Sequence, residues 1–147
     1  GVHGMINAIV EGISMALNAE FGDAYTIYAE SVEQGLHEPC FFVACISPTK
    51  RVFLGRRYLA THQMCVQYFP NSKDGKREEC NEVAERLFNC LEYIEAAENL
   101  TMGTKMHAEM VDGVLNFFVN YDFFLRNSQE TTSMGELSLS DGVSVKG

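Results

Sequence analysis

The sequence predicts an α+β fold: two helices packed on one face of a mostly antiparallel or mixed sheet of four to five strands, in the order helix, strands, helix, hairpin. Three observations carry this. Apolar residues recur at three- and four-residue steps from Met5 to Leu17 and again from Arg77 to about Ala97, which is the period of an amphipathic helix. Tyr58 to Phe69 alternates polar with apolar residues, the period of a half-buried strand. Met102 to Arg126 reads as one long hairpin, because Asp112-Gly113 is the strongest short signal for a two-residue type I′ turn.

That turn sets a register before any other segment is consulted. It places Val111 opposite Val114, Met110 opposite Leu115, Ala108 opposite Phe117, Met106 opposite Val119, Thr104 opposite Tyr121 and Met102 opposite Phe123. All but Thr104 are apolar or aromatic, so one face is core. The alternate set, Glu109 with Asn116, His107 with Phe118 and Lys105 with Asn120, is mostly a wet face. A slip of one residue would invert every side chain, so the register is strongly specified. The apolar face needs a cover, which the helices supply.

Residues 1–4 read as a tag remnant ahead of Met5 and are set aside. In the first helix Ile6, Ile9, Val10, Ile13, Ala16 and Leu17 form the apolar stripe, and Gly22 suits the residue just past its end. Tyr25 to Glu30 reads as a first strand and Val32 to Pro39 as a turn. Cys40 to Ile46 is apolar on both faces, as expected of a central strand whose second face is covered by something else, a neighbouring subunit being one candidate. Ser47-Pro48-Thr49 is expected to break that run, and Lys50 to Arg57 to protrude as a loop or ribbon. In the strand Tyr58 to Phe69, His62, Met64, Val66 and Tyr68 share one face, and 70–75 is a loop. The second helix presents Cys80, Val83, Ala84, Leu87, Cys90, Leu91 and Ile94 inward and six glutamates outward. Residues 5–126 thus make a single α+β domain, and 127–147 a Ser/Thr/Gly-rich tail that could add an edge strand.

At 147 residues the chain is of single-domain length. No apolar run reaches the roughly 18 residues of a membrane span, and no signal-peptide pattern is present, so the protein is read as soluble and intracellular, with no membrane partner. Five cysteines without regular spacing fit a reducing compartment. A net charge of −9 argues against nucleic acid held by phosphate neutralisation. That total hides an asymmetry. From Lys50 to Arg77 seven bases stand against one acid, a local +6, while the remaining four bases and nineteen acids leave −15 elsewhere. Such complementary fields in one molecule suit copies that meet head to tail.

The search for chemistry finds little. No glycine-rich phosphate loop opens a helix after a strand. The four histidines are scattered, and no Cys/His spacing makes a zinc site; no cofactor or metal is expected. The sharpest enzymatic reading pairs His37 with Cys40 as base and thiol, a small thiol hydrolase. Against it, Cys40 opens an apolar run, where cysteine is usually a small buried hydrophobe. The methionines at 102, 106 and 110 are read as core. The one stretch read as functional is the basic segment Lys50, Arg51, Val52, Phe53, Leu54, Arg56 and Arg57. Its apolar pair Phe53-Leu54 flanked by arginines has the composition of an interface centre.

The opening MINAIVEGISMALNAEFGDAYTIY, the block VEQGLHEPCFFV at 32–43, the strand end Tyr68-Phe69-Pro70 and the closing NFFVNYDFFL resemble the small tail terminator family of phages and prophages of low-GC Gram-positive bacteria. The resemblance runs from Met5 to about Leu125 and is most specific from Gln34 to Phe42. It implies a structural, non-enzymatic α+β subunit that forms a ring with itself, commonly a hexamer, on the head-proximal end of the tail tube. There it would stop tube polymerisation and present a surface to the head–tail connector. The implied location is the host cytoplasm during assembly and the virion tail afterwards, with DNA only as passing cargo past an acidic subunit. A head–tail connector or neck component of the same virion is the near alternative.

Overall fold

The computed structural model describes residues 3–29, 36–52 and 54–125. The elements are α1 (His3–Phe21), β1 (Thr26–Tyr28), β2 (Cys40–Val52), β3 (Tyr58–Phe69), α2 (Lys76–Cys90), β4 (Tyr93–Ala96), β5 (Asn99–Val111) and β6 (Val114–Leu125). They form a six-stranded mixed sheet in the order β1-β2-β3-β6-β5-β4. β1 lies parallel to β2, and the other neighbouring pairs are antiparallel. The α+β class is as expected; the strand count is not. No described helix is long and apolar enough to cross a membrane.

The extra strand comes from the end of the second helix, which stops at Cys90 rather than Ala97. From Tyr93 the exposed and buried residues alternate, so Ile94 and Ala96 face the core from β4 and not from a helical stripe. Leu91 and Ile94 lie three residues apart, a step shared by a helix and by this helix-to-strand junction, which is why the periodicity misleads here. Ala97 and Glu98 then take positive φ, 53° and 66°, and turn the chain tightly into β5.

At the other hairpin the expected turn is present, with Asp112 at φ 51° and Gly113 at 79°. The register runs as expected from Val111 opposite Val114 to His107 opposite Phe118. A bulge then shifts it: Lys105 takes φ 52°, Thr104 pairs with Asn120 and Gly103 with Tyr121. Thr101 and Gly103 therefore face inward, and Met102, expected in the core, is 52% exposed. The reason is the lack of space at position 103. Only a residue without a side chain fits there, since a Cβ on Gly103 would lie 2.7 Å from Val119 Cγ2, 2.9 Å from the Leu91 carbonyl oxygen and 3.2 Å from Tyr121 Cε1. In that space the Tyr121 hydroxyl donates to the Leu91 carbonyl at 2.6 Å, and the Gly103 N–H donates to the Glu92 carbonyl at 2.7 Å. The end of α2 is thus held by β5 and β6.

Ser47-Pro48-Thr49 does not break β2, which continues to Val52 after an irregularity between Cys45 and Ser47. Pro48 pairs with His62 of β3, while β1 flanks β2 only at Cys40, Phe41 and Phe42. Among the described residues no strand lies on the other flank of β2 at Pro48, so this part of β2 is an edge, where proline is tolerated. The strand expected over Tyr25 to Glu30 is the three-residue β1, and α1 begins two residues before Met5. The turn residues 32–35 and the tail 127–147 with its expected edge strand lie outside the described residues.

Both helices cover one face of the sheet. Ile9, Ile13 and Leu17 of α1 and Cys80, Val83 and Leu87 of α2 pack on Phe41, Val43, Met64, Val66, Tyr68 and the full inward row of β6, from Leu115 to Phe123. Each large side chain so buried contributes about 1.5–3 kcal/mol. Gly12 lets α1 lie on β4, where a Cβ would collide with the Glu95 carbonyl. At the far end of α1, Phe21 meets Phe41 at 4.9 Å between centroids. Arg86 of α2 clasps that end: its guanidinium pairs with the Glu20 carboxylate at 2.8 Å, donates to the Glu20 carbonyl at 2.9 Å and lies 4.2 Å from the Phe21 ring.

The loop between β3 and α2 is held by Glu79 in the first turn of the helix. Its carboxylate accepts from the Tyr68 hydroxyl at 2.5 Å and from the Asn71 and Ser72 N–H groups at 3.0 Å each. Burial raises the Glu79 carboxyl, but the hydrogen bonds from Ser72, Tyr68 and Asn71 outweigh it and hold the group down at about 2.

Gly103→Ala should destabilise the fold by about 1–3 kcal/mol through the forced displacement of Val119 and the Leu91 carbonyl. Tyr121→Phe should cost about the same by leaving the buried Leu91 carbonyl unpaired; urea unfolding measures both. Because the Glu79 group is depressed on folding, its contribution is complete above about 4.5, the unfolded value, and is lost as pH falls toward about 2. Glu79→Gln should therefore be less stable than wild type by about 1–3 kcal/mol at neutral pH. Melting curves against pH should converge near the bottom of that window.

Candidate functional site

The basic segment forms the free end of the β2–β3 hairpin, a ribbon rather than a loop. Lys50, Arg51 and Val52 pair with Ala60, Leu59 and Tyr58. The turn closes through the Arg57 N–H donating to the Leu54 carbonyl at 2.8 Å, with Gly55 at φ 54°. Strand alternation sends Lys50 and Arg51 to opposite faces, so the charge surrounds the tip. Lys50 Nζ stands 5.0 Å above the Tyr58 ring and the Arg57 guanidinium 4.8 Å above Phe124. Such contacts orient the cations without neutralising them. Among the described residues, Lys50, Arg51 and Arg57 make no ion pair. Val52 and Leu54 are 62% and 63% exposed in their midst. Phe53 lies outside the described residues.

A second exposed apolar cluster, missed by sequence reasoning, lies on the β4–β5 hairpin at the other side of the sheet. Tyr93 faces Met102 across the pair and Leu100 faces Glu95. All three apolar side chains are about half exposed or more. Glu92, Glu95 and Glu98 surround them, exposed and, among the described residues, without an ion pair. The outer edge of β4 ends the sheet. The helical reading puts Glu92 and Glu95 on a solvated helix face, and the hairpin register puts Met102 in the core. The alternation Tyr93-Ile94-Glu95-Ala96 was the signal that could have found this hairpin.

Of the histidines and cysteines weighed for chemistry, Cys40, His62, Cys65 and Cys80 are buried in the packing. Cys40 is fully buried, and burial, then the Glu38 charge, pushes its thiol up, away from the thiolate a nucleophile requires. His37 is exposed, its backbone N–H donating to the Tyr28 hydroxyl at 3.1 Å. His62 is buried beside Phe123, its Nδ1 3.4 Å from the Tyr121 carbonyl; burial lowers its pKa, so the neutral ring is favoured. Cys65 and Cys80 are buried and their thiols likewise pushed up by burial. Among the described residues, no three His, Cys, Asp or Glu side chains gather to hold a metal.

What the surface offers is therefore two charged, apolar-centred projections. A family model described as phage tail terminator protein matches residues 8–133. The chain belongs to the phage tail terminator family. The matched span of this terminator takes in the core, the ribbon and the β4–β5 hairpin, and ends beyond the last described strand. Terminators are structural proteins of the phage tail, so the chain works in the tail, among other tail and head proteins. No curated protein matches it. One solved structure aligns over 84% of this chain and 94% of its own, at 11% identity and a TM-score of 0.33.

In this terminator the thiols should be inert. With a thiol-selective reagent, Cys40 of the folded protein should react on the order of a hundredfold more slowly than in the urea-unfolded chain, as peptide mass spectrometry would measure.

Proposed function

We propose that this terminator joins copies of itself into a ring, commonly a hexamer, that caps the head-proximal end of the tail tube. The cap ends tube polymerisation and forms the surface met by the head–tail connector. The observation that supports this reading is the ribbon tip, where Val52 and Leu54 stand exposed among Lys50, Arg51, Arg56 and Arg57. An apolar centre ringed by arginine is the composition of an interface. A neighbouring copy, drawn from a chain of net charge −9, supplies the opposite field. The same acidic total favours a channel through which DNA passes without adhering.

Electron microscopy of tails made without this protein tests the assignment. Tubes of uncontrolled length are expected, whereas tubes of normal length lacking heads would make the protein a connector. Arg56→Glu with Arg57→Glu should strongly reduce the number of capped tubes while leaving the melting midpoint close to wild type. Undiminished capping would remove the ribbon from the interface.

A further inference from the structure

Resting on the ring reading above, we infer that the surface receiving the basic ribbon of one copy is the exposed face and outer edge of the β4–β5 hairpin of the next. The two features share an apolar centre and carry opposite charge. Val52 and Leu54 sit among four cations, and Tyr93, Leu100 and Met102 sit among three carboxylates. On both sides the charged groups are exposed; Lys50, Arg51 and Arg57 on the ribbon and Glu92, Glu95 and Glu98 on the hairpin have no ion pair among the described residues. They lie on different sides of one sheet, the ribbon on β2 and β3 and the acceptor on β4 and β5, with β6 between. In the ring each copy therefore offers its ribbon to one neighbour and its hairpin to the other. The contact is heterologous and repeats head to tail, the arrangement that closes a ring.

Other occupants fit less well. A half-exposed aromatic on the last strand of the sheet, with two long apolar side chains beside it on β5, forms a margin that proteins ordinarily blunt. The carboxylates around them would select a cationic partner, and within this sequence the densest cationic stretch is the ribbon. Opposite charge aligns the two projections, and the aliphatic centres then exclude water from the contact.

A charge-exchange experiment on tail tubes decides the matter. The ribbon-reversed chain, Arg56→Glu with Arg57→Glu, and the hairpin-reversed chain, Glu95→Lys with Glu98→Lys, are supplied singly, then together, to cells making tails that lack the protein. Capped tubes are counted by electron microscopy, and melting midpoints confirm that each variant is folded. Each variant alone should cap at least about tenfold fewer tubes than wild type, since like charges then face each other. Supplied together they should restore capping to within a few-fold, because reversed ribbon meets reversed hairpin and native ribbon meets native hairpin around the ring. If the hairpin-reversed chain caps normally while the ribbon-reversed one fails, the edge serves another occupant, such as the tube protein or residues 127–147. This inference then falls while the ring reading stands. If both fail and the mixture is not rescued, the pairing is likewise wrong. If both cap normally, the ribbon has no part in assembly and the two readings fall together.

Discussion

The structure depends on the Tyr121 ring lying over Gly103 with its hydroxyl on the Leu91 carbonyl. That contact joins the end of α2, the start of β4, the bulged part of β5 and the centre of β6. The hydroxyl satisfies a carbonyl that the end of a helix would otherwise leave buried and unpaired. Burial, then the nearby Cys90, pushes the Tyr121 phenol up, so it remains the neutral donor this contact requires. The bulge at Lys105 follows from the same fit, since it delivers a glycine, and not Thr104, to the position under the ring.

Once α2 ends there, the chain has a short spacer into β4 and the sheet gains its sixth strand. The helices cover one face only. The opposite face carries a mixed row in which the Gln67 amide donates to Asn116 at 3.0 Å. His107 stacks on Phe118 nearby, with ring centroids 4.7 Å apart. Polar side chains that bond one another across strands keep such a face compatible with water. Exposed apolar side chains also stand at the ribbon tip, among cations, and on the β4–β5 hairpin, among carboxylates. The titratable pair Tyr68 and Glu79 holds the loop between β3 and α2 in place.

Much of the fold was legible because local patterns and global packing agree. The Asp112-Gly113 turn, the inward row of β6, the inward row of β3 and the inward faces of α1 and α2 all follow from periodicity in residues that lie next to one another in the chain. The basic ribbon was legible as a charged stretch for the same reason: its four cations fall within eight neighbouring residues. The acidic hairpin was hidden, because Glu92 and Glu95 continue the charge pattern of the helix before them and nothing local marks where that helix stops.

The sequence by itself determined which faces are apolar, the α+β class, the charge partition and, through its family-specific stretches, the resemblance to a terminator. Tertiary structure alone decided three further things: that the helix ends at Cys90, that Met102 turns outward, and that β2 runs through Pro48 to carry the basic tip. The physical reason is that each is settled by a partner distant in the chain. Tyr121 holds the Leu91 carbonyl, Val119 and that carbonyl leave room only for Gly103, and β3 carries β2 on through Pro48 by pairing it with His62, so no window of neighbouring residues contains the deciding interaction.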